Sequence, residues 1–130
     1  MKRLLLILTL VFSGALAARS EEEPRYVTLQ PTFVTNYGFS ENGRLKYLKA
    51  DVTVRVSSHD AEMALRNHFP YLRNNIVLLF SRQDEASVTS REGRELLREE
   101  ALAELRAVME AEEGETYIED LMFSNFVVQR

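Results

Sequence analysis

The stretch that most constrains the fold runs from Gly43 to Val56, because its apolar and polar residues alternate strictly. One side carries Leu48, Ala50, Val52, Val54 and Val56, and the other carries Tyr47, Lys49, Asp51, Thr53 and Arg55. A period of two is typical of a strand with one buried and one solvated face. Asn42-Gly43 just before it is a hairpin turn signal. The pattern predicts a central hairpin strand that carries no catalytic chemistry.

A first strand is predicted over Arg25 to Tyr37, and residues 38–43 connect it to the central strand. Its inward side is expected to carry Val27, Leu29 and Phe33. Proline cannot donate a ladder hydrogen bond, so Pro31 indicates that this strand lies at an edge or is broken there. The two strands together predict an antiparallel hairpin.

Two short helices are expected after the central strand. Ser57 or Ser58 can cap the first helix, whose apolar stripe is Ala61, Ala64, Leu65 and Phe69. Pro70 fits the first turn of the second, where its missing N–H costs nothing. Residues 71–83 contain the apolar run 76–80; its spacing favours a helix, and a strand is the alternative.

The last third predicts a loop, a long helix and a strand. Asp84 to Val88 is expected to be the loop, and Thr89-x-x-Glu92 is a capping box opening a helix over residues 90–112. Gly93 costs about 1 kcal/mol of helix propensity relative to alanine, and Gly114 is a suitable stop. The buried stripe of this helix is Leu97, Ala101, Leu105 and Val108, flanked by Leu102 and Met109. Residues 117–129 are the predicted last strand. The fold class is therefore α+β: a small antiparallel sheet, formed by the N-terminal hairpin and the C-terminal strand, packs against two short helices and one long helix.

The N-terminus has the three parts of a secretory signal peptide. Lys2 and Arg3 form the basic region, residues 4–12 the apolar region, and Ala15-Leu16-Ala17 a cleavage pattern. An uncleaved membrane anchor is the competing interpretation, although the charge-free run is shorter than the roughly 20 residues of a spanning helix. We expect residues 1–18 to be a signal peptide or short anchor, 19–24 an acidic linker, and 25–130 a periplasmic domain.

The residue chemistry does not indicate catalysis. The chain has no cysteine and a net charge of −4, and it has no block of basic residues of the kind that binds nucleic acid. Its adjacent glutamates fit a solvated surface better than a converging acid–base pair. His59 and His68 are too far apart along a helix to share a metal and are expected at the surface or at helix ends. We predict no enzyme activity, no cofactor, no metal site and no small-molecule substrate.

Five blocks of the sequence, taken together, resemble the FliL family of flagellar basal-body-associated proteins. They are YVTLQP at 26–31, GRLKYLKADV at 43–52, NNIVLLFSRQ at 74–83, GRELLREE at 93–100 and FVVQ at 126–129. The resemblance implies a domain similar to the stomatin/prohibitin (SPFH) fold, which assembles into rings beside the flagellar stator. It also implies a protein without enzymatic activity or cofactor. Members usually keep one transmembrane helix and a longer linker, so this chain is either a soluble periplasmic paralogue or an anchored form lying close to the bilayer.

The resemblance and the residues together predict an accessory of the flagellar motor that acts by self-association and protein contacts. Its expected partners are further copies of itself in a ring, stator and basal-body proteins, and the nearby inner membrane. The alternative is a periplasmic ligand-binding or small hydrolytic α+β module unrelated to motility, which would need a deep pocket with converging polar groups. The expected subunit-contact face is the polar side of the central strand: Tyr47, Lys49, Asp51, Thr53 and Arg55.

Overall fold

The computed structural model describes residues 23–40 and 42–130, so the predicted signal peptide and most of the acidic linker lie outside the described residues. Four strands and four helices follow one another in an α+β arrangement, which confirms the predicted fold class at this level. Their order is β1 (Arg25–Thr28), β2 (Phe33–Asn36), β3 (Tyr47–Val56), α1 (His59–Asn67), α2 (Phe69–Ser81), α3 (Glu85–Thr89), α4 (Arg91–Glu113) and β4 (Ile118–Gln129).

Strand β3 is the centre of an antiparallel sheet. Strand β4 pairs with it along its whole length. Strands β1 and β2 pair with successive segments of β3, Thr53–Val56 and Tyr47–Ala50, and therefore share its other edge. The predicted hairpin is confirmed, and so is the break of the first strand, because residues 29–32, which include Pro31, separate β1 from β2.

The alternation of β3 is confirmed by burial. Its five apolar side chains are fully buried, in one core cluster with Leu65 of α1, Ile76 of α2 and Leu105 of α4. The helices therefore cover this inner face of the sheet. Ser58 caps α1 by accepting a hydrogen bond from the Ala61 N–H, and Pro70 lies in the first turn of α2, as predicted. The apolar run at 76–80 is helical, so the alternative of a strand was wrong.

Two predictions about the start of the long helix were wrong. Residues 85–89 form the short helix α3 and not a loop, because the Asp84 side chain accepts a hydrogen bond from the Ser87 N–H and caps them. The residue that caps α4 is Ser90, whose hydroxyl accepts from the Gly93 N–H at 2.9 Å. Thr89 ends α3 and donates its hydroxyl to the Glu85 carbonyl. The N-cap therefore lies one residue after the predicted one, and the predicted capping box does not form, because the residue three positions after Ser90 is Gly93, which has no side chain to return a hydrogen bond.

Close contact between α3 and α4 explains why residue 93 is a glycine. A Cβ atom there would lie 2.6 Å from both the Ala86 carbonyl oxygen and the Ser87 Cα, so the two backbones approach too closely for any larger residue. At the other end, Gly114 adopts a left-handed conformation with φ of 80° and ends α4 as predicted. Within residues 23–40 and 42–130, no helix is both long and apolar enough to cross a membrane.

Candidate interaction surface

The face of the sheet opposite the helices, called the outer face below, contains all five residues of the predicted contact surface. Tyr47 and Lys49 are exposed, and Asp51, Thr53 and Arg55 are half-buried. The neighbouring strands place Tyr26 opposite Arg55, and Thr28 opposite Thr53 with their hydroxyl oxygens 2.9 Å apart. The prediction from the alternating sequence pattern that these five side chains share one surface is therefore confirmed. That this surface contacts another subunit stays a prediction.

Asp51 lies at the middle of the outer face and links β3 to β4 and to the β1–β2 connection. Its carboxylate accepts a hydrogen bond from the Thr32 hydroxyl at 2.5 Å and another from the Asn125 amide at 2.8 Å. Thr32 belongs to the β1–β2 connection, and Asn125 (φ 51°) to β4 near its register shift between Lys49 and Asp51. These two bonds, the one from Thr32 foremost, lower the pKa of Asp51. The carboxylate therefore links β3 to β4 at the register shift of their pairing, and to the connection that separates β1 from β2.

Apolar side chains on β1, β2 and β4 flank this polar centre. Tyr26 is 58% exposed, Val34 opposite Lys49 is 64% exposed, and Val127 on the other side of Lys49 is 55% exposed. Single exposed apolar residues need no explanation, but several on one sheet face are typical of a protein contact surface. Mixed apolar and polar character is the usual composition of a non-obligate interface.

Charged groups at the end of the outer face are partly paired. Arg55 donates from Nε to the Glu119 carboxylate at 3.1 Å, and both side chains keep substantial exposure. Lys49 has no carboxylate within 4 Å among the residues that the structure describes. A partner surface could therefore pair with Lys49 without first breaking a salt bridge.

The histidines lie at helix ends, as predicted. His59 begins α1, and its Nδ1 is 3.8 Å from the Glu62 carboxylate. His68 separates α1 from α2, with Nε2 2.7 Å from the carboxylate of Glu113 at the end of α4. In the described part of the chain, no three histidine, aspartate or glutamate side chains are grouped to hold a metal ion.

A second surface, which the sequence patterns did not indicate, is an open groove of about 640 Å³ between α4 and β4. Its α4 wall carries three arginines and one glutamate, Arg91, Arg94, Glu95 and Arg98, and its β4 wall carries Met122, Phe123 and Phe126. The three arginines are spaced i, i+3 and i+7, so they lie on one face of α4. This spacing is the feature of the sequence from which the surface could have been predicted. The groove is an open furrow, unlike the deep pocket that the ligand-binding alternative requires.

These features define a small α+β domain with one sheet face that bears exposed apolar and charged side chains together. Comparison with known protein families gives a match: residues 26–129 match the family model of the flagellar basal body-associated protein FliL. The chain belongs to the FliL family. It is also 28% identical over 98 residues to the flagellar protein FliL of Escherichia coli K12 and to that of Shigella flexneri. Each alignment covers 75% of this chain and 61% of the relative, so the chain spans under two thirds of the relatives' length.

Proposed function

We propose that this protein is a non-enzymatic accessory of the bacterial flagellar motor that acts by self-association and by protein contacts near the stator. Membership of the FliL family supports a basal-body-associated role. The single observation that carries the contact mechanism is the outer face of the sheet, which no helix of the described residues covers and which bears exposed apolar and charged groups together.

The polar centre of the outer face favours a specific contact. Asp51 is held by hydrogen bonds from the β1–β2 connection and from β4, so the surface that carries the five β3 side chains is braced on both sides. Preorganised surfaces lose less conformational entropy on association. Lys49 and Arg55 supply the charges that would fix the orientation of a partner, and Tyr26, Val34 and Val127 supply the apolar area.

We infer that the first partner of this face is a further copy of the chain, in a ring similar to those of SPFH domains. We also infer that the N-terminal leader exports the domain to the periplasm, beside the inner membrane. Together these place the ring at the base of the flagellum, close to the stator. The absence of a role in catalysis is part of the same proposal.

The experiment uses a strain in which the gene is deleted, with swimming measured in liquid and swarming in viscous agar. We expect motility to fall, most visibly under viscous load, and to return when the wild-type gene is supplied. Unchanged swimming and swarming in the deletion strain would refute the flagellar assignment.

A matched pair of variants tests the surface. Val34→Glu puts a charge on the outer face, where Val34 is 64% exposed, and Leu96→Glu makes the same change on α4, where Leu96 is 66% exposed. Because both residues are already solvated, neither change should unfold the domain. We expect Val34→Glu to fail in restoring motility and Leu96→Glu to restore it. Equal restoration by both variants would exclude the outer face as the functional surface.

A further inference from the structure

The groove between α4 and β4 combines an aromatic wall with arginine side chains, two of which have no carboxylate partner among the described residues, and neither feature is used by the proposed contact surface. Phe126 and Phe123 have ring centroids 5.5 Å apart, and Phe123 continues into the core through Phe80 at 5.7 Å. Their anchoring to the core means that the aromatic wall is rigid. Both rings keep some exposure and line the groove.

Of the three arginines on the α4 wall, one is neutralised by carboxylates and the other two can pair with a ligand. Arg98 pairs with Glu95 at 2.6 Å and with Asp120 at 2.9 Å, so its charge is already balanced. Arg94 donates from Nε to the Val88 carbonyl, and its guanidinium lies 4.7 Å from the centroid of Phe126. Within the described residues, neither Arg94 nor the exposed Arg91 has a carboxylate within 4 Å.

This positive charge stands out against its surroundings. The chain has a net charge of −4, and α4 beyond the groove carries mainly glutamates: Glu99, Glu100, Glu104, Glu110, Glu112 and Glu113. Arg94, which lies over the Phe126 ring, and Arg91, which is exposed beside it in the same groove, are complementary to carboxylates that flank an apolar group. An aromatic side chain would stack on the phenylalanines, while carboxylates on either side would reach the two arginines.

We propose that the α4–β4 groove binds a short extended segment of another protein in which carboxylates flank one aromatic side chain. The segment must be short, because Asn125 has a positive φ of 51° and interrupts the regular strand beside the groove. This binding is independent of the outer face and of the flagellar role.

The test measures fluorescence polarisation of a labelled peptide, Glu-Asp-Glu-Trp-Glu-Asp-Glu, with the full-length chain. Two further peptides replace either the acids by their amides or the tryptophan by alanine. We expect each replacement to weaken binding by about tenfold or more, since each removes one of the two recognised groups. Equal binding of the acidic and amide peptides, or no binding of the acidic one, overturns the proposal.

The variant Arg91→Glu locates the site. Glutamate in the first turn of a helix is favourable, so this change should leave the fold intact. We expect it to weaken peptide binding about tenfold, because it replaces an attraction by a repulsion. Arg44→Glu makes the same charge change on the exposed β2–β3 loop and should have little effect.

Two outcomes with these variants overturn the proposal. One is an equal loss of binding in Arg91→Glu and Arg44→Glu, which would show a response to net charge alone. The other is a fall in sedimentation coefficient of Arg91→Glu with unchanged peptide binding, which would show that a second copy of the chain covers the groove.

Discussion

Gly93→Ala tests the packing of α3 on α4. Helix propensity predicts that this substitution raises the free energy of unfolding, whereas the contacts in the structure predict that it lowers it. Helix propensity alone predicts stabilisation, since alanine is better than glycine by about 1 kcal/mol. In the folded protein, the added methyl would lie 2.6 Å from the Ala86 carbonyl oxygen and 2.7 Å from the Ser90 hydroxyl that caps α4. The first neighbour is backbone and cannot rotate away.

The expected net effect is a loss of stability. Forcing a methyl group into a well-packed site costs about 1–3 kcal/mol, and displacing the Ser90 cap costs up to about 1 kcal/mol more. Subtracting the propensity gain of about 1 kcal/mol leaves a destabilisation of roughly 0–3 kcal/mol, with a midpoint of about 1.5 kcal/mol. For a domain of this size, that corresponds to a fall in Tm of roughly 5 °C or more.

Thermal and guanidinium unfolding, followed by circular dichroism, measure this effect. Ala103→Gly on the exposed side of α4 is the control; it should cost about 1 kcal/mol from propensity alone. If Gly93→Ala raised Tm by about as much as Ala103→Gly lowers it, the close approach of α3 and α4 would be refuted.

Three further predictions concern single contacts, each measured by guanidinium unfolding. Ser90→Ala should cost about 1 kcal/mol and Thr89→Val much less, because Ser90 is the cap; a larger loss from Thr89→Val than from Ser90→Ala would contradict the assignment of Ser90 as the cap. Arg73→Met should cost about 2 kcal/mol, since Arg73 donates to two backbone carbonyls of the β1–β2 connection, with Arg73→Lys intermediate; no loss in either variant would contradict this. Asp51→Asn should be less stable than wild type at pH 7. Because the pKa of Asp51 is lowered in the folded protein, its contribution to stability is present above its ordinary pKa and is lost as the pH falls through the lowered value, so the difference should begin to shrink below about pH 4; a difference that does not shrink between pH 7 and pH 2 would contradict it.

Local patterns predicted the strands and the buried faces correctly because burial there follows the chain's own period. Val52 and Val54 are buried and Lys49 is exposed for the reason that the alternation gave. Pro31 marked the break between β1 and β2 because a missing N–H acts at its own position.

Errors arose where distant contacts decide the structure. Helix α3 is only five residues long, and its one buried side chain, Val88, has no periodic partner within the helix. Thr89 and Ser90 are both good caps, and the packing of α3 on α4 through Gly93 selects Ser90. Sequence could assign Gly93 only a propensity cost, because the backbone that approaches it belongs to another helix.

The candidate surfaces show the same division. The alternation of polar and apolar residues along β3 predicted which five side chains share the outer face. Their bracing through Thr32 and Asn125 did not, since Asn125 is 74 residues from Asp51 along the chain. The α4–β4 groove was missed because Phe126 and Arg94 meet only after β4 has paired with β3.

The most direct test of the central claim is site-specific photo-crosslinking in motile cells. A photoreactive residue is placed at position 53 on the outer face and, as a control, at position 96 on α4. We expect an adduct of the chain with a second copy or with a flagellar basal-body protein from position 53, and no such adduct from position 96. Absence of the adduct at position 53, or the same adduct from both positions, would contradict it.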